Sequence, residues 1–397
     1  MASSALDVYA GVDTHAETHH VAVIDGLGRR LGDTEFPTTV LGYQQLLAFV
    51  GEFGTVQRIG VEGTASYGAG LTAYLRAERI VVREVIRPSR AARRNGKSDP
   101  IDAYAAARSV AANDDLPIPK LLDGEVEQIR VTLRARSSAI KARNVAMVQI
   151  KDFLTTAPAR VREAYRYLSD EELIEVLAAS RPQSDQTLKR VLRRLARRYE
   201  YLGEEIDQAV EELEVLTVRV APELTQARAI GTITAAQLLV TAGANPERVK
   251  SKAAFAALCG VSPISASSGK TQRHRLNRGG DRQANWALHR IVMVRMGNDE
   301  RTRRYVERRT AEGKGTREIM RCLKRYVANE VYTLILDPDQ VPPSDDLRPL
   351  RHQQHLTLTQ VADHFDTSPG KISRIERGQS RDDHFTKQYR KYLLQTL

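Results

Sequence analysis

Two stretches near the start of the chain decide its fold: Val8-Tyr-Ala-Gly-Val-Asp13 and His20-Val-Ala-Val-Ile-Asp25. Both are short and mostly apolar, and each ends in an aspartate, which is the pattern of a buried strand. The connection between them is brief and polar, so we predict that they pair as a meander. Residues 30–38 supply a third strand beside them.

The rest of the N-terminal third alternates between helical and strand-like periodicity. Residues 42–53 and 71–79 repeat apolar positions at helical spacing, whereas residues 56–62 and 80–86 are strand-like. Strands followed by such an alternation predict a mixed sheet flanked by helices. We therefore assign residues 1–120 to an α/β domain.

A predicted helix start after this sheet brings two acids together. Residues 96–102 are Gly-Lys-Ser-Asp-Pro-Ile-Asp, in which Ser98 or Asp99 can cap a helix that has Pro100 at its first position. Asp99 and Asp102 lie three residues apart and therefore share one face of that helix. Capping alone would explain Asp99, because acids favour the first turn of a helix.

Carboxylates also end two of the predicted strands, at Asp13 and Glu62. A single acid at a strand end is often a solvated turn residue. Four acids delivered from two strands and one helix start instead favour a shared divalent cation, and hard oxygen ligands suit Mg²⁺ or Mn²⁺. Such an ion polarises a phosphodiester and activates an attacking oxygen. The predicted metal ligands are Asp13, Glu62, Asp99 and Asp102.

A second group of chemically capable residues lies between Gly260 and Trp286. Serines at 265, 267 and 268 stand before Gly269. The basic run that follows them consists of Lys270, Arg273, Arg275, Arg278 and Arg282. Guanidinium groups hold phosphate oxygens and stabilise developing charge, so this block suits a hydroxyl that attacks a phosphodiester. A solvated basic loop would have the same composition.

Among these serines, Ser268 is the preferred nucleophile. Gly269 follows it directly, and the absence of a side chain there lets a phosphate approach closely. Lys270 and Arg273 are near enough in sequence to neutralise the phosphate oxygens. Ser267 is the nearest alternative.

The chain has 397 residues, which predicts two or three domains, and its formal net charge is +11. Residues 269–325 alone carry 17 basic and 6 acidic residues, so this segment accounts for the whole excess. A concentrated basic face is the electrostatic footprint of nucleic-acid binding. An anionic membrane surface fits less well, because no apolar face accompanies the arginines.

Another basic cluster directly precedes Asp99, where it would neutralise phosphates near the metal. It consists of Arg87, Arg90, Arg93, Arg94 and Lys97.

Only two cysteines are present, at 259 and 322, without metal-ligand spacing. The N-terminus lacks the pattern of a secretory signal, and no apolar run is long enough to span a bilayer. We expect a cytoplasmic protein, associated with the bacterial nucleoid and not with a membrane.

The middle of the chain, residues 121–222, carries apolar heptads. One series recurs every seven residues from Val126 to Leu154, and a second alternates steps of four and three from Leu188 to Leu216. This spacing predicts a helical coiled-coil stalk. The two long helices can pair within one chain or with another subunit, and we favour pairing between subunits of a homo-oligomer, a dimer or tetramer. Arginines between 190 and 198 can be a solvated face.

Residues 223–336 form a third, mainly helical domain. Its stretch Arg228-Ala-Ile-Gly-Thr-Ile-Thr234 resembles a helix-hairpin-helix turn, in which Gly231 would permit the tight bend and backbone amides would meet a phosphate. A plain helix start capped by Thr232 or Thr234 is the alternative.

Residues 337–349 hold four prolines and indicate a linker, and residues 350–397 resemble a repressor-type helix-turn-helix. Ala362 would be the small residue at the crossing of its two helices. Ser368 would cap a recognition helix that presents Lys371 and Arg374 to the major groove. Asp366 stands where a glycine is usual. The segment is short for a complete repressor domain, so it is either truncated or packed on the body.

Three quoted motifs together carry a family resemblance. Val-Asp13-Thr-His, Val-Glu62-Gly-Thr and Lys-Ser-Asp99-Pro-Ile-Asp102-Ala resemble the Asp-Glu-Asp-Asp signature of the DEDD transposases, which are recombinases of bacterial insertion sequences. The block from Gly260 to Arg282 resembles the C-terminal pattern of the same family. The resemblance covers about residues 6–335 and does not include the helix-turn-helix.

The resemblance implies an RNase H-like (RuvC-like) first domain and a mainly α-helical C-terminal transposase domain that carries the catalytic serine. It also implies that the serine of one domain meets the acids of another and forms a covalent phosphoserine link to DNA. A bridge RNA encoded by the element would pair with the target and donor DNA. Composition and spacing say nothing about that RNA.

The leading hypothesis is therefore a DNA transposase that uses Ser268 and a magnesium site. One alternative is a metal-only RNase H-like nuclease or resolvase, in which water attacks and the serine is structural. The other is a non-enzymatic regulator that binds DNA through the helix-turn-helix. Four converging acids argue against the regulator, and only the serine mechanism leaves protein covalently attached to cut DNA.

Overall fold

The computed structural model describes residues 6–85, 98–183, 186–265, 274–275, 277, 279–338 and 344–395. The chain divides into two compact units. The first is Met1–Gly124 together with Ala242–Lys250, and the second is Glu125–Thr241 together with Ser251–Leu397.

A five-stranded mixed sheet forms the centre of the first unit. Its strands are β1 (Asp7–Thr14), β2 (Thr18–Asp25), β3 (Arg30–Pro37), β4 (Thr55–Glu62) and β5 (Val82–Val85). They lie in the order β3-β2-β1-β4-β5, with an antiparallel meander over the first three and parallel pairing of β1 with β4 and of β4 with β5. The predicted mixed sheet is confirmed, and its arrangement is compatible with an RNase H-like fold.

Helices cover both faces of this sheet, as the two-sided apolar pattern of its central strands requires. They are α1 (Val40–Glu52), α2 (Ala69–Ala77) and α3 (Asp99–Ala112). Leu46 of α1 and Leu71 of α2 join one core cluster with Val12 of β1. On the opposite face, Ala103 and Ala107 of α3 pack on β2.

A long helical hairpin opens the second unit. It comprises α4 (Gly124–Thr155), α5 (Ala159–Tyr165), α6 (Asp170–Ala179) and α7 (Thr187–Val220). The ion pair between Arg219 of α7 and Glu125 of α4 joins opposite ends of the two long helices, which therefore run antiparallel.

The predicted heptad series of α7 is partly buried inside this single chain, with five buried members: Leu192, Leu202, Ile206, Ala209 and Leu213. Leu192 of α7 packs in one cluster with Met147 of α4 and Leu177 of α6, and Leu202 packs with Ala139 in another. The pairing of α4 with α7 is thus intramolecular, contrary to the arrangement that we favoured from sequence. The homo-oligomer stays a prediction, but these seam residues already have neighbours within one chain.

The following part of the chain is mainly helical. Its elements are α8 (Pro222–Gln226), α9 (Thr232–Ala242), a 3₁₀ helix (Pro246–Arg248), α10 (Lys252–Leu258), β6 (Ile264–Ser265), β7 (His274–Arg275), α11 (Arg282–Asn298), α12 (Glu300–Ala311) and α13 (Thr316–Leu336). The apolar stripe of α13, which includes Leu323 and Val331, is buried. Helices α8, α10, α11 and α12 contact α13, which makes it the central element here.

The tail forms four helices around its own core. They are α14 (Leu347–Gln353), α15 (Leu358–His364), α16 (Pro369–Glu376) and α17 (Asp383–Gln395). Leu347 is fully buried in that core with Ala362 and Tyr389. Helix α14 therefore begins three residues before the predicted tail, within the range assigned to the linker.

The tail also contacts the rest of the second unit. The backbone N–H of Arg381 donates to the carbonyl of Gln226 at 2.8 Å. A cavity of about 800 Å³ is lined by residues of α11, α12 and α13 on one side and by residues 381–384 on the other. Among the described helices, none combines the length and apolarity that crossing a membrane requires.

Candidate functional site

The two predicted strand-end acids lie at neighbouring positions of the sheet. Strands β1 and β4 are parallel, with Val12 opposite Val61, so Asp13 and Glu62 come next on adjacent strands. Both are buried, at 1% and 3% exposed. The hydroxyl of Thr14 donates to the Glu62 carbonyl at 2.9 Å and ties the two strand ends together.

Glycine at position 11 lets α3 approach this edge. A Cβ on Gly11 would lie 2.1 Å from the Ala107 nitrogen and 2.2 Å from the Ala103 oxygen, both backbone atoms of α3. No side chain fits in that space, so only glycine allows the helix to rest directly on β1. This close contact buries Asp102, whose Oδ2 atom has no hydrogen-bond partner among the described residues.

A histidine joins the acids. Donor atoms of Asp13, His15 and Asp99 lie within 4.8 Å of one another. The His15 Nε2 atom is 4.0 Å from Asp13 Oδ2 and 4.0 Å from Asp99 Oδ1. The sequence motif at Asp13 includes His15, but no role was predicted for it. His15 directly follows β1 and lies two residues after Asp13 in the sequence.

Glu62 and Asp102 do not belong to that three-residue group. The structure places Glu62 beside Asp13 on the next strand, and Asp102 one turn after Asp99 on α3. We call these four acids together with His15 the acid cluster.

Within the acid cluster, Asp13, His15 and Asp99 lie close enough together to hold a metal ion. Their carboxylate oxygens suit both Mg²⁺ and Mn²⁺, and the imidazole of His15 suits Mn²⁺ better. The buried Asp102 Oδ2 without a partner is the feature that most needs a ligand, because an unsatisfied buried oxygen is costly.

The start of α3 is built much as predicted. Ser98 occupies the N-cap position, and Pro100 lies in the first turn with Asp99. The Ser98 side chain makes no capping hydrogen bond. The backbone N–H of Asp102 bonds to the Ser98 carbonyl at 3.1 Å, which closes the first helical turn.

A polar network fastens the same helix to the antiparallel edge of the sheet. The Tyr104 hydroxyl donates to Asp33 Oδ1 at 2.9 Å, and His20 Nε2 lies 2.9 Å from Asp33 Oδ2. Burial disfavours the charged form of Asp33, but the hydrogen bonds from His20 and Tyr104 outweigh it and lower its pKa. Burial and the bond to Asp33 raise the pKa of Tyr104 to about 12. This network positions α3 and, with it, Asp99 and Asp102.

The predicted nucleophile Ser268 and the cations Lys270, Arg273 and Arg278 lie outside the described residues, as do Arg87, Arg90, Arg93, Arg94 and Lys97. The described ends of the serine block form a short antiparallel ladder, in which Ile264 of β6 pairs with Arg275 of β7. Arg282 is the first residue of α11 and is exposed, as a phosphate contact requires.

Two glycines fit the ends of the serine block together. Gly260 and Gly280 have φ of 66° and 84°, and a Cβ on Gly280 would lie 2.6 Å from the Gly260 nitrogen. The Asn285 side-chain amide donates to the carbonyls of Cys259 and Gly260, each at 3.1 Å. Asp281 caps α11 by accepting from the backbone N–H of Gln283. These contacts hold the described ends of the block, Gly260 and Gly280, against each other at the start of α11.

The three residues of the tail that were predicted to take part in DNA binding differ in their contacts and exposure. Ser368 caps α16 by accepting from the backbone N–H of Lys371 at 3.2 Å. The Lys371 ammonium bonds to Asp382 at 2.9 Å and lies 4.6 Å from the centre of the Phe385 ring. It is therefore paired within the tail in this structure, and its predicted contact with the major groove stays a prediction. Arg374 is exposed.

In two local turns the residue with a positive φ is not a glycine. Asp366 takes the positive φ, 48°, where a glycine was expected. In the proposed helix-hairpin-helix, the positive φ of 63° belongs to Ala229 and not to Gly231. The Thr234 hydroxyl bonds to the Gly231 carbonyl at 2.8 Å as α9 begins.

A mixed sheet with acids at the ends of two neighbouring strands is compatible with a DEDD transposase domain, and comparison with known proteins identifies the family. Residues 10–158 match the family model of the IS110-type DEDD transposase, and residues 221–307 match the model described as "Transposase IS116/IS110/IS902 family". The chain belongs to this family of insertion-sequence transposases.

A curated relative supports the same assignment. The chain is 31% identical over 164 residues to the "Mini-circle putative transposase for IS117" of Streptomyces coelicolor. The match spans 39% of this chain and 39% of that relative, so the chain matches about two fifths of the relative's length.

Proposed function

We propose that this protein cuts and rejoins DNA as the transposase of an insertion sequence. Its catalytic groups would be the Ser268 hydroxyl and a Mg²⁺ or Mn²⁺ ion held by Asp13, Glu62, Asp99 and Asp102. The observation that carries the proposal is the buried acid cluster, above all the Asp102 oxygen that has no hydrogen-bond partner among the described residues. The printed name of the curated relative, a transposase, supports the same activity.

The buried and the more exposed residues of the acid cluster would have different roles. Asp13, Glu62 and Asp102 are buried and would bind the ion rigidly, whereas Asp99 and His15 are about half exposed and can meet substrate at the open side. When bound, the ion stabilises negative charge that develops on a phosphodiester. The close packing of α3 on Gly11 brings the backbone of this helix, and with it Asp102, next to β1.

Ser268 would supply the nucleophile. Its oxygen would form a bond to phosphorus as the bond from phosphorus to one deoxyribose oxygen breaks, and the hydroxyl proton would pass to a base. The product is a phosphoserine link between protein and one DNA end, with a free hydroxyl on the other. Lys270, Arg273 and Arg275 are the cations closest to Ser268 in sequence and would neutralise the phosphate oxygens.

The partners follow from the same family. DNA of the element ends and of the target is the substrate, and we propose a bridge RNA as the guide that pairs with both. The net charge of +11 in residues 269–325 supports binding of a nucleic-acid backbone. A homo-oligomer would hold the several DNA ends together.

Denaturing gel analysis tests the serine mechanism. The protein is incubated with its element ends, the flanking noncoding RNA and magnesium, and a protein-DNA species that survives denaturation is expected. Ser268→Ala should eliminate this species, whereas Ser267→Ala should only reduce it. Cleavage without any covalent species would favour the metal-only nuclease, in which water attacks. An adduct that maps to another residue by mass spectrometry would refute Ser268.

A further inference from the structure

A pocket of about 610 Å³ opens beside the ends of the serine block. One wall is formed by residues 260–263, which precede β6, and by Asn277, which follows β7. The other wall is formed by α13, which contributes Arg321, Lys324 and Arg325 together with Cys322. These cations belong to the basic segment 269–325, but the sequence pattern predicted no individual role for them.

The two walls are joined by specific contacts. The Lys324 ammonium donates to Asn285 Oδ1 at 2.8 Å, and the amide group of the same Asn285 side chain holds the carbonyls of Cys259 and Gly260. Arg325 Nη1 donates to the Ser262 hydroxyl. Both cations are therefore fixed in place by neutral oxygen atoms.

Positive charge in this pocket is not balanced by carboxylates. Glu318 is the acid among the described pocket residues, and it already accepts from Lys314 at 2.7 Å. Lys324 is half-buried, and burial first, then repulsion from Arg321, lowers its pKa. A half-buried ammonium that bonds to a neutral amide gains more from an anion than a surface lysine does, because less water competes.

We infer that this pocket binds a phosphate of the DNA strand, with Lys324 and Arg325 as its direct ligands and Asn285 as the positioning residue that holds Lys324. The inference rests on the proposed function, because the pocket adjoins the block that carries the proposed nucleophile. It extends substrate binding to α13, beyond the cations predicted between residues 270 and 282. DNA is the occupant because strand cleavage at that block requires a DNA phosphate nearby.

The two cysteines allow a test on the unaltered protein. Cys322 lines the pocket and is partly accessible, whereas Cys259 is buried and its pKa is raised to about 12 by burial and by the charge of Asp281. A maleimide should therefore label Cys322 selectively. A DNA duplex added with EDTA, so that no chemistry occurs, should slow this labelling about tenfold at ten times its Kd.

Unchanged labelling of Cys322 at saturating DNA would overturn the inference. So would protection by an RNA of the same sequence but not by DNA, since the pocket would then serve the guide. Mass spectrometry of the labelled peptides distinguishes Cys322 from Cys259 in either case.

Variants test the ligands themselves. Lys324→Gln should weaken DNA binding about tenfold and lower the dependence of log K on log salt by about one, the loss expected for one charged phosphate contact. Lys151→Gln is the matched control, because Lys151 lies on α4 of the helical hairpin, is not part of the pocket lining and is paired with Asp170. Equal affinity and salt dependence for the two variants would contradict the inference.

Asn285→Asp gives a second test that keeps Lys324. A carboxylate at this position would pair with the Lys324 ammonium within the chain and remove its need for an external anion. DNA affinity should fall by about the same factor as in Lys324→Gln. Thermal stability should also fall, because a carboxylate cannot donate to the carbonyls of Cys259 and Gly260, so affinity is measured at a temperature at which circular dichroism shows the variant to be folded. These binding tests do not depend on which residue is the nucleophile. An adduct that survives in Ser268→Ala would refute the proposed nucleophile without changing the DNA affinities expected for Lys324→Gln and Asn285→Asp.

Discussion

Asp102 of the acid cluster and Glu376 of the tail are buried to the same degree, at 6% and 7% exposed, but they are satisfied in opposite ways. Glu376 accepts two bonds from the Arg351 guanidinium, at 2.7 and 2.9 Å, and a third from the Tyr389 hydroxyl at 2.8 Å. The Oδ2 atom of Asp102 has no such partner among the described residues. A buried carboxylate that is saturated within the chain stabilises a fold, whereas one that is not saturated is kept for a ligand.

Replacing Asp102 should produce the largest effect on function. In Asp102→Asn we expect DNA cleavage to fall at least about 10⁴-fold, the loss typical of removing one member of a catalytic set. Magnesium should also raise the Tm of the wild type but not of the variant, because only the intact cluster binds the ion. Thermal melting with and without EDTA and a cleavage assay measure both.

The melting temperature in EDTA is the control for this variant, and it should not fall. Magnesium-dependent cleavage that persists in Asp102→Asn would remove Asp102 from the metal site.

The reciprocal change in the tail should affect stability and not chemistry. Glu376→Gln leaves Arg351, whose side chain is 7% exposed, without its carboxylate, and breaking a buried pair costs about 3–5 kcal/mol. Hydrogen exchange should show lost protection in α14 to α17, with cleavage retained. Glu300→Gln, on an exposed ion pair of α12, is the control and should change nothing measurable. Unchanged hydrogen-exchange protection of these helices in Glu376→Gln would show that the buried pair of Glu376 and Arg351 does not stabilise the tail, which contradicts the comparison with Asp102.

A glycine substitution tests how the acid cluster depends on helix packing. Gly11→Ala introduces a methyl group against backbone atoms of α3, and overpacking of this kind costs about 1–3 kcal/mol. Urea unfolding should report that loss, together with a weaker rise of Tm in magnesium. Gly26→Ala is the matched control, because a Cβ on Gly26 would meet nothing within 4 Å. Equal stability of both variants would mean that α3 can shift at no cost.

The smallest effect concerns a partly exposed pair in the tail. The hydrogen bonds from Arg390, at 2.6 and 2.7 Å, lower the pKa of Asp346. Because the folded pKa lies below the ordinary value of 3.8, the stabilisation is present above that pH and is lost as the pH falls through the folded value. Solvent screens the pair, since Asp346 is 39% exposed, so Asp346→Asn should cost below about 1 kcal/mol.

Hydrogen exchange of the tail at neutral and acidic pH measures this difference. Wild type and Asp346→Asn should differ at neutral pH and converge in strong acid. A difference in protection that grows as the pH falls would contradict the expected loss of this stabilisation in acid.

The sheet and its acids were predictable because period-two apolar runs and strand-end carboxylates are local signals. Asp13 and Glu62 needed only the expectation that their strands are neighbours. His15 also had a local signal, because it lies two residues after Asp13. Lys324 had none, because its environment depends on Asn285, which lies 39 residues away.

Long-range pairing also decides what a local pattern leaves open. The heptads of α7 predicted an apolar seam, but no periodicity says whether the partner helix lies in the same chain. Lys371 occupies a position where repressor-type proteins read DNA, yet Asp382 follows the motif by a few residues and takes the ammonium. In both cases the deciding contact lies outside the pattern that was recognised.

The hairpin of α4 and α7 has a mechanical consequence. With 34 residues and a rise of 1.5 Å each, α7 is about 50 Å long, which is about one and a half turns of B-form DNA. The cluster of Ile174, Leu177 and Leu192 joins α6 to α7 near the far end of this rod. A tilt of about 10° at its base would move the tip by about 9 Å. A small rotation at the base would therefore displace the tip by more than the spacing between neighbouring phosphates.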